Sequence, residues 1–97
     1  MAQQPHYITE TQVLRRIAND PQCRWKFTAH SLEEIAADGW TANDVKYALM
    51  TNGQVVLQEQ KKDVLWRVEG RDLDGGLIRV VIAVYEVTIR IKVITAF

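Results

Sequence analysis

A chain of 97 residues with 47% hydrophobic and 25% charged side chains has the composition of one folded domain and not of a disordered segment. Twelve Lys+Arg balance twelve Asp+Glu, so no overall basic excess marks a general nucleic-acid binder. The single cysteine, Cys23, excludes an internal disulfide and a cysteine metal cluster, and no apolar run approaches the ~18–20 residues of a membrane span.

The opening MAQQPHYITE has neither the basic start nor the apolar stretch of a secretory signal. A soluble, cytoplasmic protein is expected, with residues 1–8 as a tail and 1–97 as a single domain. From Thr9 to about Asn19, Val13, Leu14 and Ile17 form a helical stripe with Arg15 and Arg16 outside it. Thr9 or Thr11 can cap this helix, and Asp20-Pro21 ends it. A short extended piece, Arg24 to Phe27, precedes a second helix from about Thr28 to Asp38, whose expected buried face is Leu32, Ile35 and Ala36. Gly39 suits the left-handed residue after a helix; Thr41 with Asp44 reads as a capping box for a third helix buried through Val45, Ala48 and Leu49.

After Gly53 the period changes from 3.6 to 2. Strands are expected at Gln54–Gln60, Asp63–Gly70, Leu77–Tyr85 and Val87–Phe97, with turns at Lys61-Lys62, Asp74-Gly75-Gly76 and, more weakly, Glu86. Short turns force antiparallel pairing, so the fold class is α+β: N-terminal helices packed on one face of a four-stranded antiparallel sheet.

Charge is unevenly distributed along the chain. Residues 28–60 carry Glu33, Glu34, Asp38, Asp44 and Glu59 against Lys46, whereas residues 1–27 and 61–97 each hold two more cations than anions. Strand alternation sharpens the contrast. Ile78, Val80, Ile82 and Val84, with Val87, Ile89, Ile91 and Val93 and with Val64, Trp66 and Val68, face the helices. Arg67, Arg79, Tyr85, Arg90 and Lys92 gather on the other face against Glu69. Cations commonly just solvate the open face of a small sheet; the alternative is a phosphate-binding platform.

His30 is the histidine inside a predicted element, His6 lying in the tail. It suits a helix cap or a packing role, and equally general acid–base work. Cys23 reads as structural, Trp25, Trp40 and Trp66 as core or core rim, and Asp72-Leu73-Asp74 as turn chemistry without calcium-loop spacing.

The stretch Phe27-Thr28-Ala29-His30-Ser31-Leu32-Glu33-Glu34-Ile35, then Gly39-Trp40-Thr41, Asp44-Val45, Ala48-Leu49 and Gly53-Gln54-Val55, resembles a small bacterial family of unknown function. So do Trp66-Arg67-Val68-Glu69-Gly70, Asp74-Gly75, Ile78 to Val84, and the ending Lys92 to Phe97. This resemblance spans roughly residues 24–97, and such domains look like the RelE/ParE-like toxins and the motility quorum-sensing regulator toxin, MqsR.

That resemblance implies a metal-independent endoribonuclease of the mRNA-interferase type, one half of a type II toxin–antitoxin pair. Its implied partners are RNA, including ribosome-bound messenger RNA, and a cognate antitoxin protein; a homodimer is left open, and no membrane, cofactor or metal is called for. The lysine, glutamine and tyrosine set of MqsR does not map onto this chain. The catalytic candidates are therefore Arg67, Arg79, Tyr85 and Lys92 by strand position, with His30 by its place in the pattern. Arg67, Arg79, Arg90, Lys92 and Thr95 are the RNA-binding candidates. The alternatives are a non-catalytic protein-interaction module sharing the fold and an antitoxin-like nucleic-acid binder, the latter weakened because no helix carries a cluster of cations.

Overall fold

Helix α1 (Ile8–Ala18) exists because Leu14, Ile17 and Ala18 recur on one side and are buried together. The computed structural model describes residues 7–97, so His6 and most of the expected tail lie outside the described residues. Tyr7 and Ile8 depart from the tail expectation: Tyr7 packs on the core and Ile8 opens α1. Neither threonine caps the helix. Tyr7 is the cap residue without a side-chain bond, and Thr11 Oγ1 instead accepts from the Val55 amide at 3.0 Å.

Strand β1 (Arg24–Phe27) corrects the four-stranded expectation. It pairs in parallel with β5 (Arg90–Ala96), and the sheet is five-stranded and mixed, in the order β1-β5-β4-β3-β2. Strands β2 (Gln54–Gln60), β3 (Val64–Arg71), β4 (Leu77–Tyr85) and β5 form the expected antiparallel meander. Four residues are too few for alternation to declare a strand, and the partner of β1 is at the opposite end of the sequence.

Helix α2 (Ala29–Ala37) starts at Thr28, whose hydroxyl oxygen accepts from the Ser31 amide at 3.0 Å. Its buried face is Ser31 and Ile35; Leu32 is 47% exposed and Ala36 is also exposed, contrary to the apolar-stripe reading. The small Ser31 satisfies its hydroxyl on Thr28 O at 2.8 Å, so it can be fully buried where a larger side chain would not sit. Where β1 stops, α2 continues along β5: Thr28 Oγ1 donates to Ile94 O, and Glu34 accepts from Thr95 and the Ala96 amide.

Helix α3 (Ala42–Thr51) has the expected Thr41–Asp44 capping box and buries Val45, Ala48 and Leu49. The Thr41 and Leu73 amides hold the Asp44 carboxyl below its ordinary range. Gly39, at φ 77, supplies the left-handed residue before it. Helix α1 packs against α3, and Arg15 reaches across to donate to Leu49 O at 2.7 Å and Gly53 O at 2.6 Å, closing the end of α3.

The core lies between these helices and the inner sheet face: Ile78, Val80, Ile82, Ile91 and Val93 are essentially inaccessible. Val87, expected in the core, is 98% exposed. Residues 86–89 form a turn instead of strand, with Ile89 at φ 50 so that its side chain still packs on the core. The tryptophans sit at the rim as expected: Trp40 Nε1 donates to Asp72 and Trp66 Nε1 to Gln58, both at 3.1 Å. Asp72 accepts from the Asp74 and Gly76 amides, which is turn chemistry. No helix among the described residues is long and apolar enough to cross a membrane.

Candidate nucleic-acid interface

Register across the sheet fixes which side chains share the face turned away from α1 and α3. At one end Arg24 lies opposite Arg90, and Arg90 opposite Tyr85. The next row is Lys26, Lys92 and Ala83; the third is Thr95, Val81, Arg67 and Leu57. In the fourth row Phe97 exchanges backbone bonds with Arg79, which lies opposite Glu69, and beyond it Arg71 lies opposite Leu77. Ile94 is bulged out of the β4–β5 ladder, and this keeps Thr95 on the same face as Lys92.

Arg67, Arg79, Tyr85, Arg90, Lys92 and Thr95 therefore share one surface. They do not meet at one point: rows two residues apart put Arg79 about 20 Å from Arg90 along the strands. Arg79 is committed, its Nε lying 2.8 Å from Glu69 Oε2. Arg67 rests on the Phe97 ring, 5.2 Å from its centroid, with Nε buried and without a hydrogen-bond partner. Arg90 lies 4.5 Å from the Tyr85 ring centroid, and the Tyr85 hydroxyl reaches Asp63 at 3.2 Å. Burial first, then Asp63, push the Tyr85 phenol up, so it holds its proton firmly.

His30 is at the edge of this face, exposed, with Nε2 3.2 Å from Glu34 Oε1. The same carboxylate accepts from the Thr95 hydroxyl and, at 3.3 Å, from the Ala96 amide. The Thr95 hydroxyl above all, then the Ala96 amide and His30, hold Glu34 below the usual carboxylate range against the opposing effect of burial. Thr28, not His30, caps α2, which leaves the imidazole free of a capping role.

Sequence reasoning missed five residues on this surface, Arg71 among them because the expected strand stopped at Gly70. Arg24 and Lys26 came in with β1, and their alternation with Trp25 and Phe27 was the available signal. Glu34 stands four residues after His30, a helical spacing visible in the sequence. Phe97 enters through its pairing with Arg79.

Cys23 is half-buried, and burial and Asp20 raise its thiol, which disfavours a reactive thiolate. Among the described residues, no group of three or more His, Cys, Asp or Glu is gathered to hold a metal ion.

Comparison with known proteins returns no matching curated protein and no matching solved structure. A family profile does match: Domain of unknown function (DUF4258), over residues 27–97. The match begins at the last residue of β1, so α1, Arg24 and Lys26 lie outside it, while α2, α3 and the whole meander lie within. Covering most of the chain and every element from α2 to β5, it shows that this protein belongs to the DUF4258 family.

Proposed function

We propose that the protein is a toxin-like, metal-independent endoribonuclease of the cytoplasm, acting on messenger RNA and restrained by a cognate antitoxin protein. The observation that carries this reading is the His30–Glu34 pair standing at the edge of a sheet face with seven cations, of which only Arg79 has a carboxylate partner among the described residues. The kinship with RelE/MqsR-like toxins is part of the proposal and rests on the sequence pattern.

In this reading RNA lies across the open face and supplies its own nucleophile. Neutral His30 takes the proton of a 2′-hydroxyl, and the freed oxygen attacks the adjacent phosphorus. The P–O2′ bond forms, the P–O5′ bond breaks, and the departing 5′ oxygen takes a proton from water. Cations of the sheet stabilise the extra negative charge of the pentacoordinate state. Glu34 fixes the imidazole from behind, anchored on β5 by Thr95.

The test is RNA cleavage in EDTA with and without ribosomes, combined with growth on induced expression and mapping of RNA 5′ ends. Expected are growth arrest and 5′-hydroxyl ends, both lost in folded His30→Ala protein. Absence of arrest and of cleavage under every condition sinks the nuclease. A second reading, a non-catalytic interaction module, is favoured by β2, whose seven-residue outer edge has no neighbouring strand among the described residues.

A further inference from the structure

We propose that Arg24, Arg90, Lys26 and Lys92 clamp two successive phosphates of a single RNA strand, one phosphate between the arginines and the next between the lysines. This rests on the RNA reading above and specifies the form of RNA and how its backbone is seated.

The four cations form a block. Arg24 is in register with Arg90, and Lys26 with Lys92, on the same face of two adjacent strands. Like charges directly opposite one another destabilise a sheet. Among the described residues none of the four lies within ion-pair distance of a carboxylate, so the fold does not offset the repulsion with an acid of its own. An anion placed between the members of each pair removes it.

The dimensions fit a polyanion. Members of a pair are about 4.8 Å apart across the strands, close enough for two long side chains to converge on one phosphate. The arginine and lysine rows are about 7 Å apart along the strands, a step close to that between successive phosphates of an extended chain. The arginine row is partly preset, since Arg90 is stacked on Tyr85 and Tyr85 is tied to Asp63.

The surroundings select a single strand. Beside the cation columns, β4 presents the partly exposed Tyr85 and Val81, with Ala83 buried between them, a column without charge, and Phe97 follows beyond Thr95. Phosphates over β1 and β5 would leave bases over β4, where ring and methyl surfaces can receive their faces. A duplex hides its base faces and offers its second backbone across a groove. The sheet has no second block of paired cations for that backbone: Arg79 is taken by Glu69, and Arg67 and Arg71 stand singly on β3, opposite Val81 and Leu77.

The experiment measures binding of a labelled, 2′-O-methyl single-stranded oligonucleotide, which cannot supply the nucleophile, and of the corresponding 2′-O-methyl duplex, as a function of salt. The single strand should bind at least tenfold more tightly. In Lys26→Gln/Lys92→Gln protein its affinity should fall about tenfold or more, and the slope of log affinity against log salt should shrink by about 0.7, the loss of one phosphate contact. The RNA-free variant should melt at a higher temperature than the parent, because repulsion has been removed. A slope change of about 1.4 would mean that each lysine holds its own phosphate and would overturn the shared clamp. Unchanged affinity, or equal binding of the duplex, would overturn it as well. Since these probes cannot be cut, a failure here is distinct from a failure to cleave RNA, which bears on the nuclease alone.

Discussion

His30 Nε2 stands 3.2 Å from Glu34 Oε1, one turn along α2, and Glu34 is itself fastened to Thr95 on β5. The histidine is thus aimed by a carboxylate that a different element holds still. His30→Ala should reduce RNA cleavage by about 10²–10⁴-fold, the range of a lost general base. Glu34→Gln should lower kcat with KM little changed, since it disturbs the imidazole and leaves the sheet cations in place; single-turnover kinetics on a short RNA separates the two.

The same carboxylate gives stability a pH dependence with a definite sign. Its folded-state pKa is depressed, chiefly by the Thr95 hydroxyl, so the ionised form is favoured in the native state. The stabilisation is fully present above the unfolded value near 4.5 and is lost as pH falls from there through the depressed folded value. Melting temperature followed through that window should drop more steeply for the parent than for Glu34→Gln, which has no proton to gain at this position.

Arg67 and Arg79 look alike in sequence and differ in availability. Glu69 already neutralises Arg79, so Arg79→Ala should weaken RNA binding little, whereas Glu69→Gln should strengthen it several-fold by releasing the guanidinium. Arg67→Ala should reduce the salt slope by about 0.7. Salt titrations of the three variants with one oligonucleotide check the ordering.

Arg15 is expected to matter for stability and not for RNA. Its guanidinium satisfies two carbonyls at the end of α3, Leu49 O and Gly53 O, from a partly desolvated position. Arg15→Ala should cost about 2 kcal/mol in urea unfolding, the range for hydrogen bonds to a charged group. Arg15→Lys should recover only part, since one ammonium cannot reproduce the fork.

Gly53, two residues past the end of α3, is packed tightly against β3. A Cβ there would lie 2.7 Å from Val68 Cγ1 and 2.9 Å from Ala48 O, and the latter is backbone that cannot swing away. Gly53→Ala should therefore destabilise by about 1–3 kcal/mol, as overpacking does, measured by denaturant midpoint.

Much of this molecule could be read from residue pattern. The Thr41–Asp44 box, the Gly39 break and the β2–β5 meander follow from local chemistry, which a single sequence displays directly. The open face was legible because alternation assigns sides without knowledge of partners, and Arg67, Arg79, Arg90 and Lys92 do share it. What escaped was set by tertiary contact. β1 is a strand only because β5 completes it, Ser31 is buried in place of Leu32 because α2 lies along β5, and Val87 points into solvent because the chain turns at 86–89. Glu34 looked like one more acid of a solvated helix, since nothing local shows that Thr95 lies beside it.

The parallel pairing of β1 with β5 also has a consequence for the order of assembly. Thr28 and Ile94 are joined although they are 66 positions apart, whereas β2, β3 and β4 pair through short turns. Short loops close first, so the hairpins and helices can form while the chain is still being made. During synthesis β5 emerges after the other four strands, and until it docks Arg24 and Lys26 have no strand opposite them and Glu34 has no Thr95 to hold. A chain in which β5 has not docked therefore lacks both the cation block and the carboxylate that orients the histidine, and both come into being in the step that completes the sheet.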